Sequence, residues 1–188
     1  MIGLYIAIGV VVVTITGALL SYNRFVGQRQ YVRNSWANVD TELTRRYDLV
    51  PNLVETVKGY ATHERTTLER VIEARTRAFQ NHGSPNDQAR DENLLVDALK
   101  GLMAVSEDYP DLKASEQFLE LQRELVSTED RIQAARRFYN NNVRDYNRRV
   151  QSIPSNLVAR LFTFTEEEYF EVEAVVQQVP EVQLDTPG

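Results

Sequence analysis

Few side chains in this sequence are equipped for chemistry, and their spacing argues against most of it. There are two histidines, His63 and His82, and no cysteine. His63-Glu64 suggests a zinc site, but that pattern needs a second histidine one helical turn on, and position 67 is threonine. A di-iron carboxylate bundle needs Glu-x-x-His units, yet Tyr60 and Phe79 stand three residues before the histidines. No glycine-rich phosphate loop and no strand-turn-helix serine elbow occurs. Without cysteine, disulfides and thiolate chemistry are excluded. These residues predict no catalytic set, no metal and no cofactor, and therefore a protein that is not an enzyme.

The polar residues that stand out do so by position. Glu64 and Arg75 fall on or beside the apolar stripe of the segment Asn52 to Gln80, where an unpaired charge costs several kcal/mol. Arg29, Arg45, Arg46 and Arg136 are available partners. A buried Glu64/Arg75 layer would either fix helix register or bind a ligand, and register is the better-attested use. Asn140, Asn141 and Asn142, with Tyr139 and Tyr146, suggest interhelical hydrogen bonds. Asp48-Leu49-Val50-Pro51-Asn52 reads as a turn, because Val50 is disfavoured in helix before proline and Pro51 suits a first helical turn. Its tip, Asp48, Pro51 and Asn52, is the candidate site for docking a protein partner.

The elements that position these residues begin with Ile2 to Leu20, nineteen residues without a formal charge. As a helix they extend about 28 Å, close to the thickness of a bilayer's hydrocarbon core. A cleaved signal peptide would want a basic start and a small-x-small cleavage site, and neither is evident before Tyr22. Arg24, Arg29 and Arg33 follow the span, so the positive-inside rule predicts a single pass with the N-terminus outside and the body cytoplasmic. Residues 1–23 are then the anchor and the bilayer is the first partner.

Beyond the span, apolar residues recur at helical period and the alternating pattern of strands is nearly absent. Phe25, Val32, Trp36, Val39 and Leu43 mark a helix continuous with the span. A second helix is expected over 52–80, with Leu53, Val57, Tyr60, Ala61, Leu68, Val71, Ile72 and Phe79 inward. A third carries Leu94, Leu95, Ala98, Leu99, Leu102 and Met103, and a fourth runs from about Ser115 to Ile153 with steps of three and four from Phe118 to Tyr146. The predicted fold is all-α: the transmembrane helix continues into an antiparallel four-helix bundle of long helices over residues 24–164. Leu157, Val158, Leu161, Phe162 and Phe164 form a short apolar face that either meets the membrane interface or lids the bundle.

The net charge of −6 is unevenly distributed. Seven acids and no base lie beyond Phe164, against 20 acids and 21 bases before it. Residues 165–188 are thus an acidic tail, with Thr165-x-x-Glu168 as a possible capping box for one short helix and disorder expected beyond Pro180. No basic block marks a nucleic-acid footprint, so none is expected as a partner. Eighteen of the 21 bases are arginine, which favours forked, fixed ion pairs.

The stretch RRYDLVPNLVETVKGYATHERTTLERVIEAR, Arg45 to Arg75, resembles the LemA family of bacterial membrane proteins. YNRFVGQRQYVRNSWANVD and FYNNNVRDYNRRVQSIPSNLVARLFTF support the likeness in the same order. The resemblance implies one N-terminal membrane helix and a bundle of long helices, and it carries over no catalytic residue or cofactor. Asp48, Pro51, Asn52, Lys58, Tyr60, His63, Glu64 and Arg75 match the emphasised positions of that motif. The leading expectation is a membrane-anchored scaffold or adaptor that recruits or organises proteins. Alternatives are a self-associating, membrane-remodelling protein and a ligand-binding bundle built on Glu64 and Arg75.

Overall fold

A computed structural model of the chain describes residues 1–172, and these contain helices and no strand. The helices are α1 (Ile2–Lys58), α2 (Arg65–Gln80), α3 (Pro85–Glu107), α4 (Pro110–Lys113), α5 (Glu116–Gln151) and α6 (Ser155–Leu161). They group into two compact units. Among the described residues, the first holds 1–41 and 134–170, and the second 42–133 with 171 and 172.

Helix α1 is longer than the sequence predicts. Its buried positions include Phe25, Val32, Val39, Leu43, Arg46, Val50, Leu53 and Val57, a stripe in steps of seven, four and three that passes Pro51 in register. Burial of that unbroken stripe overrides the local preference of a Val-Pro pair to leave the helix, so no turn forms at residues 48–52. The helix ends instead at Gly59, followed by a tight turn in which Ala61 N donates to Val57 O at 2.9 Å. The second predicted helix is therefore divided: residues 52–58 complete α1, and α2 starts at Arg65. This shift explains why Tyr60, in the turn, is exposed, while Ile72 and Phe79 sit off the Leu68, Val71, Ala74 and Ala78 face.

In the first unit the N-terminal part of α1 runs antiparallel to the end of α5. Phe25 meets Tyr146 and Trp36 meets Tyr139, so contacts advance along one helix and retreat along the other. After α6, Thr163 takes a left-handed φ of 58°, which reverses the chain and costs a β-branched residue on the order of 1 kcal/mol. Residues 164–170 then run extended along α5. Phe164 stacks on Phe25 with centroids 4.8 Å apart, and Phe170 meets Trp36 edge-on at 5.1 Å.

Two asparagines hold this extended segment by imitating a backbone ladder. Asn140 Nδ2 donates to Phe170 O at 3.0 Å and its Oδ1 accepts from Phe170 N at 2.9 Å. Asn147 makes the same pair of bonds with Glu167, both 2.9 Å. Tyr139 Oη donates to Glu168 O at 2.8 Å. Hence the expected helix does not form over residues 165–172: paired amides on α5 satisfy the extended backbone at residues 167 and 170, and Phe170 is buried against Trp36. Asn140 serves this segment rather than a neighbouring helix. The expectations for residues 173–188 lie outside the described residues.

In the second unit, pieces of α1, α2, α3 and α5 with the short α4 enclose Leu53, Val57, Val71, Leu95, Leu99, Leu102, Leu112 and Phe118, all nearly inaccessible. Helices α2 and α3 form an antiparallel pair, with Arg77 Nε 2.6 Å from Asp91 Oδ1 near the loop end and Tyr109 Oη 3.4 Å from Glu64 Oε1 at the other. Ser84 caps α3 by accepting from Asp87 N at 3.3 Å, with Pro85 opening the first turn. The arrangement fits the four-helix bundle predicted from the periodicity.

Burial first, then the carboxylates of Glu167 and Glu168, push the Tyr139 phenol well above its usual value of about 10. The unfolded chain releases that proton near pH 10 while the folded chain retains it, so stability falls as pH rises through that region. Urea unfolding of the detergent-solubilised protein is expected to weaken above about pH 10, and Tyr139→Phe to flatten that decline while costing about 1 kcal/mol at neutral pH. A pH profile identical in the two proteins would contradict this assignment.

Candidate functional site

Pro51 lacks the amide that would bond the carbonyl of Tyr47 one turn earlier, which is the usual reason a proline bends or ends a helix. Here Arg75, from α2, supplies the missing donor: its Nε lies 3.1 Å from Tyr47 O. The guanidinium sits 4.9 Å from the centre of the Phe79 ring, and Phe79 meets the Tyr47 ring edge-on at 5.7 Å. Arg75 is therefore a splint across the proline. Its partner is a backbone carbonyl, and Glu64 pairs with Tyr109, so these two residues do not form the buried ionic layer expected of them.

The buried layer lies elsewhere. Arg46 is fully inaccessible, its Nη1 2.9 Å from Glu129 Oε1 and its Nη2 bonded to Glu92 Oε2. Tyr47 Oη donates to the second oxygen of Glu92. Helices α1, α3 and α5 thus meet on one guanidinium between two carboxylates. Losing Arg46 alone would strand both acids, a change worth about 3–5 kcal/mol in comparable buried pairs. A signal for this layer exists in the sequence. Arg46 stands three residues after Leu43, Glu92 three before Leu95 and Glu129 four after Leu125, each on an apolar stripe.

Asp48, Pro51 and Asn52 do not cap a turn. They occupy the exposed side of α1 within its last three turns. His63 and His82 are exposed, and among the described residues no three metal-ligating side chains gather. Phe164 is buried in the aromatic cluster, with Arg29 5.3 Å from its ring centre, whereas Leu157, Leu161 and Phe162 remain exposed.

Within the first unit, α6 lies beside the foot of the apolar stretch of α1. Tyr22 and Phe162 have ring centres 4.8 Å apart, and Arg149 Nε donates to Gln28 Oε1 at 2.5 Å. Between them opens a groove of about 750 Å³ bounded by Val13, Gly17, Ser21, Arg24, Arg149 and Leu161 among others. A smaller groove of about 420 Å³ in the second unit is lined by Val54, Leu68 and Ile72. Its charged rim pairs internally, Lys58 with Glu55 at 3.4 Å and Arg65 with Glu69 at 3.5 Å. Neither groove is lined by Glu64 or Arg75.

Fold and site together define an all-helical protein whose first helix is long and apolar enough to cross a membrane, with none of its most apolar window buried among the described residues. The chain belongs to the LemA family, whose model matches residues 35–184. It is 28% identical over 186 residues to magnetosome proteins MamQ 1 and MamQ 2 of Paramagnetospirillum magneticum, covering 86% of this chain and 68% of each relative. Protein LemA of Metamycoplasma hominis is 24% identical over 139 residues, 73% of this chain and 63% of that protein.

The splint gives a direct test by double-mutant cycle. Arg75→Ala is expected to cost about 1–3 kcal/mol by leaving the Tyr47 carbonyl unbonded. In a Pro51→Ala background, where an amide at position 51 takes over that carbonyl, the same change should cost about 1 kcal/mol less. Equal losses in the two backgrounds, measured by chemical denaturation, would contradict the splint.

Proposed function

We propose that this protein is a non-enzymatic, membrane-anchored scaffold of the LemA type. Residues 2–20 cross the bilayer once, the N-terminus lies outside, and the helical body stands at the cytoplasmic face, where it recruits or organises other proteins. The observation that carries this reading is α1 itself. Its first nineteen residues carry no charge and lie uncovered, and the same helix continues without interruption into a buried face. Arg24, Arg29 and Arg33 follow the span and favour the cytoplasmic side for the body.

Helix α6 supports the depth assignment. Exposed Leu157, Leu161 and Phe162 beside the foot of α1 suit an interfacial contact, where apolar side chains enter the headgroup boundary. Exposed Asp48, Pro51 and Asn52 form the docking surface on the body. None of the relatives' names carries a reaction, in keeping with a non-catalytic role.

Alkaline-carbonate washing should leave the protein in the membrane pellet, while Val11→Asp with Ile15→Asp releases it, as charges at the bilayer centre cost about 2.5–3.5 kcal/mol each. Protease should cut the body in inverted vesicles and not in intact spheroplasts. A photo-cross-linker at position 52 should give discrete protein adducts in cells. Release of the unaltered chain by carbonate would overturn the anchor, cleavage from outside would overturn the orientation, and absence of adducts would overturn docking at Asn52.

A further inference from the structure

The groove at the foot of α1 combines apolar walls with cations that the chain leaves uncompensated. Arg24 is exposed and Arg149 half-buried, and neither has a carboxylate partner among the described residues. Arg149 is held in place through its Nε by Gln28, which leaves the Nη end of the fork for an anion. Ser21 Oγ, also on the groove wall, is buried with no hydrogen-bond partner. The smaller groove of the second unit differs on this point, since its lysine and arginine are neutralised on the spot.

Polarity along the groove follows the depth profile of a bilayer leaflet. Arg24, Arg149 and Ser21 stand at one end, and Ala18, Gly17 and Val13 continue along α1, faced by Leu157 and Leu161. From Arg24 to Val13 the helix rises about 16 Å, half of a hydrocarbon core roughly 30 Å thick. A volume of about 750 Å³ is within the size range of small-molecule sites. We propose that this groove holds an anionic phospholipid of the surrounding bilayer, its phosphate between Arg24 and Arg149 and one acyl chain laid along Ala18, Gly17 and Val13. Guanidinium and phosphate match in fork geometry and charge, and apolar walls at membrane depth suit a lipid tail. The inference rests on residues 2–20 spanning the membrane.

The test uses the full-length protein, taken from the membrane fraction into mild detergent and offered phosphatidylglycerol and phosphatidylcholine in equal amounts, with retained lipid read by native mass spectrometry. Wild type should retain phosphatidylglycerol over phosphatidylcholine by about fivefold or more, and Arg24→Gln with Arg149→Gln should erase the preference. Gly17→Phe keeps both arginines and fills the groove. A Cβ at Gly17 meets nothing within 4 Å, so the ring enters open space. This variant should keep the wild-type circular dichroism spectrum and lose retained phosphatidylglycerol by a similar factor. Equal retention of the two lipids by wild type, an unchanged preference in the arginine variant, or full retention in Gly17→Phe would each overturn the proposal. So would a groove filled by another protein helix, seen as a change of oligomer mass in Gly17→Phe with no change in lipid. If the arginine variant does not fold, Gly17→Phe decides alone. Recovery of wild type in the aqueous fraction would bring down the anchor and the lipid site together, whereas a lipid-blind protein in the membrane fraction brings down the lipid site only.

Discussion

A missing amide at Pro51 is the weak point of α1, and the guanidinium of Arg75 repairs it. The helix needs that repair because its buried stripe continues in register through the proline to Val57. A turn at Asp48 would take Val50, Leu53 and Val57 off that stripe. Each is a side chain whose burial contributes about 1.5–3 kcal/mol. Together the three outweigh a lost backbone hydrogen bond, worth about 1–3 kcal/mol, and Arg75 recovers part of that loss. The balance therefore favours one long helix over two short ones.

The same economy of polar groups recurs in each unit. Asn140 and Asn147 satisfy an extended backbone from the flank of a helix, and Tyr139 adds a third bond to that segment. Arg46 joins two buried carboxylates from different helices. In the first place side chains replace backbone pairing, in the second they join three helices, and in both they fix which segments lie side by side. Such bonds specify register more than they add net stability, because desolvation offsets much of their strength. Apolar burial supplies the bulk of the driving force, as the nearly inaccessible leucines and valines of the second unit indicate.

Helix content, the apolar first segment and most of the core were legible from residue spacing. Phe25, Val32, Val39 and Leu43 on α1, and Phe118, Leu125, Ile132, Tyr139 and Tyr146 on α5, occupy the buried faces their period predicts. Local signals misled where tertiary contacts outweighed them. Val50-Pro51 signals a helix boundary only when no other segment donates to the freed carbonyl. Thr165-x-x-Glu168 signals a cap only when the following backbone has no better partner, and Asn140 and Asn147 are better partners. Glu64 and Arg75 stand near an apolar stripe of α2, yet the buried layer is built by Arg46, Glu92 and Glu129 on three other helices. The apolar face of residues 157–164 was legible as a unit, but its division was not: Phe164 turns inward because the left-handed Thr163 reverses the chain.

The claim on which the account turns is that α1 is unbroken at Pro51. Absence of native cysteine makes paired labels at Thr44→Cys and Lys58→Cys unambiguous, and both positions are exposed. Pulsed electron spin resonance in lipid nanodiscs should give one narrow distance distribution centred about 21 Å between the two backbones, the rise of fourteen helical residues, after allowance for the label arms. A distribution centred well below about 15 Å, or one split into two populations, would mean that the chain turns back at the proline, and would contradict the account.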